Sequence, residues 1–360
     1  MKNLTWQNPE QLFVAQELIN KVKSKCCGIK DKEMIKSNNM ERRKSVIVLY
    51  TAIVCMVASL FLSFKSADKC RAIRPLKEVL TDSIMRIVSA CPGEIGVAVI
   101  IDNTDTVRVN DKSVYPMMSV FKVHQALALC ADFDNKGISL DTLIKINRNE
   151  LDPKTWSPML KDHSETVMSL TVRDLLRYTL VRSDNNASNL MYKDMVNVAQ
   201  TDSFIATLIP RSSFQIAYTE EEMSADHAKA YSNYTSPLGT AVLMNRLFTD
   251  HIVSDEKQRF IKNALRECKT GTDRIVAPLL GKEGVAVAHK TGSGYVSEEG
   301  ILDAYNDVAY ISLPNGTCYT LAVFVKDFNG EESQAAQYVA HISKVVYSLL
   351  ENVCMRRHDV

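Results

Sequence analysis

The sequence predicts an α/β fold of the α+β kind, with a five-stranded antiparallel sheet built from both ends of the globular region, flanking helices and an inserted all-α domain. Three observations lead there. Ile95 to Asn110 (IGVAVIIDNTDTVRVN) reads as two β-branched strands around an Asn103-Thr104-Asp105 turn. From Pro116 to about Glu267 the pattern is helical and strand signals are few. Strand patterning then returns in Val285 to His289, Val308 to Leu313 and Tyr319 to Lys326, the last two joined by the hairpin signal Pro314-Asn315-Gly316. Strands at both ends of a helical middle imply one sheet assembled from both ends, with the helices packed as a separate layer.

Taken in order, residues 1–39 open with Asn8-Pro9-Glu10, a helix start, followed by Leu12, Phe13, Ala15, Leu18, Ile19 and Val22 on one helical face. Such a stretch is out of place ahead of an export signal. Met40 is therefore expected to be the physiological start, with residues 1–39 an upstream extension of the reading frame or else the cytoplasmic tail of an uncleaved anchor. Residues 40–64 are a signal peptide or membrane anchor, because Ser45 to Phe64 carries no charge and follows Arg42-Arg43-Lys44. The basic side stays in the cytoplasm, which places the remainder in the periplasm or outside the cell, touching the membrane only through this segment. A polar linker spans 65–75. Residues 76–116 and 268–354 form the α/β domain, closed by helical periodicity over Glu332 to Leu350, and 117–267 form the all-α domain.

A chain of 360 residues with 46% hydrophobic composition can bury a substantial core. Its 43 Lys and Arg against 42 Asp and Glu leave no basic excess for nucleic acid, so a small-molecule or protein substrate is the default. A monomer is expected. The nine cysteines include no C-x-x-C pair and no Cys/His cluster at metal-ligand spacing. Five of them, Cys91, Cys130, Cys268, Cys318 and Cys354, fall in the globular part, and no pairing is fixed.

The chemistry-bearing motifs are three. Serine is a weak nucleophile until a base takes its proton, and a lysine three residues on lies one helical turn away on the same face. Ser119-Val120-Phe121-Lys122 supplies that pair. S-x-x-K recurs at Ser66-Lys69 and Ser254-Lys257, but Ser119 opens an apolar helical run directly after a strand signal and Tyr115-Pro116, where a buried lysine needs a reason. Ser183-Asp184-Asn185 is the second motif and is also a good helix cap. The third, Lys290-Thr291-Gly292-Ser293-Gly294, ends the strand VAVAH, where a cation and a hydroxyl can face a cleft while Gly292 lets a ligand lie along the backbone. A second Lys-Thr-Gly at Lys269-Thr270-Gly271 follows a helical stretch and reads as a turn between helices. His289 and His124 read as packing residues.

In this order the motifs resemble those of the serine penicillin-recognising enzymes. From about residue 80 to 350 the chain is similar to the class A β-lactamases and most similar to their CfxA-type cephalosporinases, through CPGEIGVAVI, YPMMSVFKVHQALALC, LLRYTLVRSDNNASNLM and VAHKTGSGY. The resemblance implies the serine β-lactamase/penicillin-binding-protein fold and a β-lactam substrate, with cephalosporins preferred. It makes Ser119 the acylated nucleophile, Lys122 part of its proton relay, and Ser183 the donor to the lactam nitrogen. Asn185 would bind the acylamido side chain, and Lys290, Thr291 and Ser293 the substrate carboxylate, with Arg274 a possible second cation. The backbone N–H groups of Ser119 and Ser293 would form the oxyanion hole. Glu220, in Tyr218-Thr219-Glu220-Glu221-Glu222-Met223-Ser224, falls on the position of the deacylating base. Ser224 stands where the family usually has an Asn, and Tyr218 and Asn233 where an Arg and an Asp usually close this loop. Neither metal nor organic cofactor is needed, since serine, base and dipoles suffice for acyl transfer. A penicillin-binding DD-peptidase would share every motif but Glu220, and a membrane-bound β-lactam sensor would acylate without turnover.

Overall fold

The computed structural model describes Leu49 and residues 74–355. The expectations for residues 1–39, the apolar run Ser45 to Phe64 and most of the linker lie outside them. No helix among the described residues is long and apolar enough to cross a membrane.

The chain enters with helix α1 (Leu76–Val88), then strands β1 (Glu94–Ile101) and β2 (Asp105–Val109), and the two-residue strand β3 (Tyr115–Pro116). The β1–β2 turn sits one residue earlier than the sequence suggests, because Asp102 and Asn103 both take positive φ, 47° and 58°, as a tight hairpin turn requires. A 3-10 turn (Met118–Val120) leads into α2 (Phe121–Lys136), which ends at Gly137 in the left-handed conformation. There follow β4 (Leu143–Asn147), α3 (Pro158–Asp162), β5 (Val167–Thr171), α4 (Val172–Val181), α5 (Asn185–Asp194), α6 (Val198–Ile205), β6 (Phe214–Gln215), α7 (Glu220–Ala225), β7 (Tyr234–Thr235), α8 (Pro237–Thr249) and α9 (Asp255–Arg266). The last quarter is β8 (Ala286–Ser293), β9 (Ile301–Ser312), β10 (Cys318–Asn329) and α10 (Glu332–Met355).

The main sheet has five strands in the order β2-β1-β10-β9-β8, with every neighbouring pair antiparallel. It joins both ends of the region, as expected. Its two faces bury different residues. Ala98, Ile100, Ala322 and Phe324 pack into the helical side with α2, α4 and α8, while Val97, Val99, Leu321, Val323 and Val325 pack beneath α1 and α10. A strand covered on both faces reads as a continuous apolar run, which is why β1 and β10 were easy to find. The first half of β9 was not, because Asp303, Asn306 and Asp307 interrupt the apolar pattern. Two small sheets inside the helical region, β4 with β5 and β3-β7-β6, also lacked a strong signal. Two-residue strands carry no periodicity.

Candidate active site

The start of α2 meets the end of β8 at the centre of the helical face. Gly292 makes this approach possible: a Cβ there would lie 2.5 Å from the Met117 carbonyl oxygen and 3.2 Å from the Ser119 nitrogen. Met118, just before the serine, holds φ at 46°, a strained value of the kind that clusters at functional sites. Asn306 braces the same turn from β9, donating to the Pro116 and Met117 carbonyls at 2.8 and 3.3 Å.

Ser119 is partly exposed, and its hydroxyl donates to Glu220 Oε1 at 2.8 Å while accepting from Lys122 Nζ at 2.9 Å. Lys122 is fully buried and also reaches the Ser183 carbonyl (2.9 Å), Asn185 Oδ1 (2.6 Å) and Glu220 Oε1 (2.9 Å). Three ammonium protons thus serve Ser119 Oγ, the Ser183 carbonyl and Asn185 Oδ1, with the Glu220 carboxylate beside them as counter-charge. Glu220, to which the hydroxyl already donates, is positioned to take its proton, and Lys122 can do so only after giving up one of its own.

The acidic run resolves into three environments. Thr219 and Glu222 form a capping box, with Glu222 Oε2 accepting from the Thr219 N–H and hydroxyl. Glu221 is exposed and Glu220 is buried against the serine. Burying a carboxylate is costly unless it is paired, and Lys122 is the partner. Asn233 ties the neck of this loop, accepting from the Ala217 and Tyr218 N–H groups at 2.7 and 2.9 Å and donating to the Tyr218 carbonyl at 2.8 Å.

Ser183-Asp184-Asn185 is both cap and site. Asp184 caps α5, accepting from the Ala187 N–H, and also from Met159 N and Ser157 Oγ. Ser183 is held at φ 59°, and its hydroxyl accepts from Lys290 Nζ at 2.9 Å. Asn185 Nδ2 donates to Thr155 Oγ1. Lys290 is fully buried, and burial together with the Lys122 cation pushes its ammonium down to about 7.

Arg274 is buried. It donates to the Gly292 and Asn306 carbonyls and to Ser293 Oγ (2.5 Å) and lies over the Tyr305 ring. The second Lys-Thr-Gly is not a remote turn either: Thr270 Oγ1 lies 2.6 Å from Thr291 Oγ1, and a Cβ on Gly271 would strike Thr291 Cγ2. Lys269 itself is exposed. Thr270, Thr155, Asn306 and Asp307 were missed, since single polar residues carry no spacing signal.

His124 is buried without a hydrogen-bond partner, and burial holds its imidazole down at about 4, as a packing residue. His289 does more. Burial opposes its proton, but Asp307 at 3.0 Å and Cys268 outweigh that and raise it to about 10. Ser254 lies at the start of α9, and Lys257 pairs with Asp134 at 2.7 Å, apart from these residues. Ser66 lies outside the described residues. Among the described residues no group of His, Cys, Asp and Glu could hold a metal ion.

The site thus gathers Ser119, Lys122, Ser183, Asn185, Glu220 and Lys290 into one hydrogen-bonded cluster, flanked by Thr291, Gly292, Ser293 and Arg274. The family model described as the β-lactamase enzyme family matches residues 78–350. A β-lactamase of Phocaeicola vulgatus is 77% identical over 310 residues, covering 86% of this chain and 97% of that one. The β-lactamase VEB-1 of Pseudomonas aeruginosa is 32% identical over 76% of this chain and 91% of its own. Among solved structures, a class A β-lactamase from Bacteroides cellulosilyticus superposes with a TM-score of 0.73 at 29% identity, over 78% of this chain and 99% of that one. The TLA-1 extended-spectrum β-lactamase gives 0.73 at 32%, over 77% and 99%. On this sequence, fold and clustering of residues, the chain belongs to the β-lactamase enzyme family, as a class A serine enzyme that hydrolyses β-lactams.

Proposed function

We propose that Ser119 attacks the lactam carbonyl and that Glu220 drives release of the product. The observation that carries this reading is the contact of one hydroxyl with two groups that can handle its proton: it donates to Glu220 at 2.8 Å and accepts from Lys122 at 2.9 Å. In acylation the serine proton passes to Glu220, or to Lys122 once that ammonium has given one of its own protons to Glu220 at 2.9 Å. The oxyanion meets the Ser119 and Ser293 N–H groups, and Ser183 hands a proton to the lactam nitrogen as the C–N bond breaks. Lys290, Thr291 and Ser293, with Arg274 behind them, hold the substrate carboxylate, and Asn185 the acylamido group. Once esterified, the serine oxygen has no proton to donate, so Glu220 turns to a water and removes its proton as it attacks the ester. Cephalosporins are the preferred substrates on the strength of the CfxA resemblance, in keeping with the extended-spectrum relatives. No metal or organic cofactor enters these steps.

The nucleophile is tested with a fluorescent penicillin. Ser119→Ala loses covalent labelling, whereas Ser254→Ala labels as the wild type does. Persistent labelling of the Ser119 variant refutes the assignment. Repeated nitrocefin turnover, as opposed to one stoichiometric burst, separates this reading from a peptidase or a sensor.

We further propose that residues 40–64 direct export to the periplasm and that the enzyme acts as a monomer. Translation from Met40 alone then confers full resistance in a suitable host, and loss of export on deleting residues 2–39 contradicts it.

A further inference from the structure

We propose that His227 and Tyr295 form an aromatic clasp that seats the loop carrying Glu220 against the strand carrying Lys290, and so positions Glu220 for deacylation. The inference rests on the reading of Glu220 as the deacylating base. Helix α7 has only six residues, too few to hold itself in place, so its direction is set by whatever fixes its two ends. The first end is fixed by the Thr219–Glu222 capping box and by Asn233, which closes the loop on itself but does not attach it to β8. The second end runs through Asp226, which accepts from the Ala228 N–H, into His227.

There the His227 imidazole lies flat on the Tyr295 phenol, with ring centroids 3.6 Å apart and planes 2° from parallel. Tyr295 is a firm support. It lies two residues after Ser293, its carbonyl accepts from the Asp303 N–H at 2.9 Å, and the preceding Gly294 N–H donates to the Ala304 carbonyl at 2.7 Å. Gly294 packs so closely on β9 that a Cβ would stand 2.5 Å from the Ala304 nitrogen. A second tether lies further along the loop, where the Tyr231 hydroxyl reaches Asp327 Oδ1 at 2.7 Å and Asp303 Oδ1 at 3.2 Å. The loop is therefore held on the serine side by Glu220 itself and on the sheet side by these aromatic residues. His227 and Tyr295 are positioning residues, since neither touches the reacting serine.

A stacked aromatic pair contributes enough to change a rate that depends on it by about two- to tenfold. The experiment measures acylation by rapid mixing with a cephalosporin and the lifetime of the acyl-enzyme by mass spectrometry, on the full chain. Tyr295→Leu and His227→Ala are expected to lengthen that lifetime about two- to tenfold while acylation stays within about twofold. His227→Phe, which keeps a flat ring, restores the lifetime. The double variant is no slower than the worse single one, because the two residues act through one contact. Acylation slowed as much as deacylation, an unchanged lifetime, or a multiplicative double variant each overturns the clasp. Glu220→Gln measured in parallel keeps the two claims apart: if it deacylates normally, the base has been misassigned, and if it traps the adduct while Tyr295→Leu does not slow release, only the clasp fails.

Discussion

Lys290 is buried with Lys122 as a neighbouring cation, and the two together bring its ammonium down to about 7. The sign of the consequence differs between stability and catalysis. An unfolded lysine keeps its proton to about pH 10.4, so between pH 7 and that value the unfolded chain binds more protons, and this residue's contribution to stability rises with pH. Recognition of an anionic substrate runs the other way. In the free enzyme the cation is lost above pH 7, so kcat/KM should fall on the alkaline side, and Lys290→Ala should remove that limb from the pH profile. At neutral pH the same variant gives up a charge-assisted bond of roughly 1.5 to 3 kcal/mol, about ten- to a hundredfold in kcat/KM. Lys269→Ala should change it little, because Lys269 is exposed. If Lys269 proves the more damaging site, the wrong strand has been chosen. That choice was legible in the sequence because only Lys290 follows a strand pattern, and in the structure it lies within β8. What the sequence concealed is that Thr270, beside Lys269, packs its hydroxyl on Thr291, a contact between residues twenty-one apart with no periodic signature.

At the level of elements, β8 works by coming unusually close to the serine turn. Gly292→Ala would place a methyl group 2.5 Å from the Met117 carbonyl, against backbone that Asn306 holds from the other side. Overpacking of this kind costs about 1–3 kcal/mol, and here it displaces the nucleophile, so kcat/KM should drop by about tenfold or more. A variant with unchanged kinetics would show that the close approach is slack. Helix α7 makes the complementary case. Three adjacent acids looked alike in sequence, and the cap separates them: Glu222 closes the capping box, Glu221 is exposed and Glu220 is turned inward. Glu221→Gln and Glu222→Gln should therefore turn over almost normally, as steady-state nitrocefin kinetics would reveal. The capping box that Thr219 makes with Glu222 fixes the register, which the Glu-Glu-Glu run alone leaves open and which in the sequence rested on the family resemblance. The first half of β9 was hidden for the opposite reason. Its buried Asn306 and Asp307 interrupt the apolar run because they are used to brace the serine turn and His289.

Among the described residues one sheet separates two apolar cores, and the segments carrying Ser119, Lys122, Ser183, Asn185 and Glu220 pack on the helical side. The other side depends on α10, whose Ala335, Val339, Ile342, Val346 and Leu350 cover the sheet without touching the site. A chain ending at Gly330 keeps all the site residues yet exposes that face. It should show neither cooperative unfolding nor nitrocefin turnover, since each large aliphatic side chain uncovered costs about 1.5–3 kcal/mol against a total stability of about 5–15. An active truncated chain would mean that the helical side folds alone. The overall architecture was legible because strands at both ends must share a sheet, whereas the short strands within the helical region were not. The central claim, that this site destroys β-lactams and does not merely bind them, rests on Glu220. Glu220→Gln keeps size and hydrogen bonding but cannot accept the proton of the attacking water, so release should slow by about 10² to 10⁴. After brief exposure to a cephalosporin and removal of the excess, mass spectrometry should show a single adduct on Ser119 that persists long after the wild-type enzyme has cleared its own. An adduct that decays at the wild-type rate, or one trapped by Glu222→Gln and not by Glu220→Gln, would contradict the account.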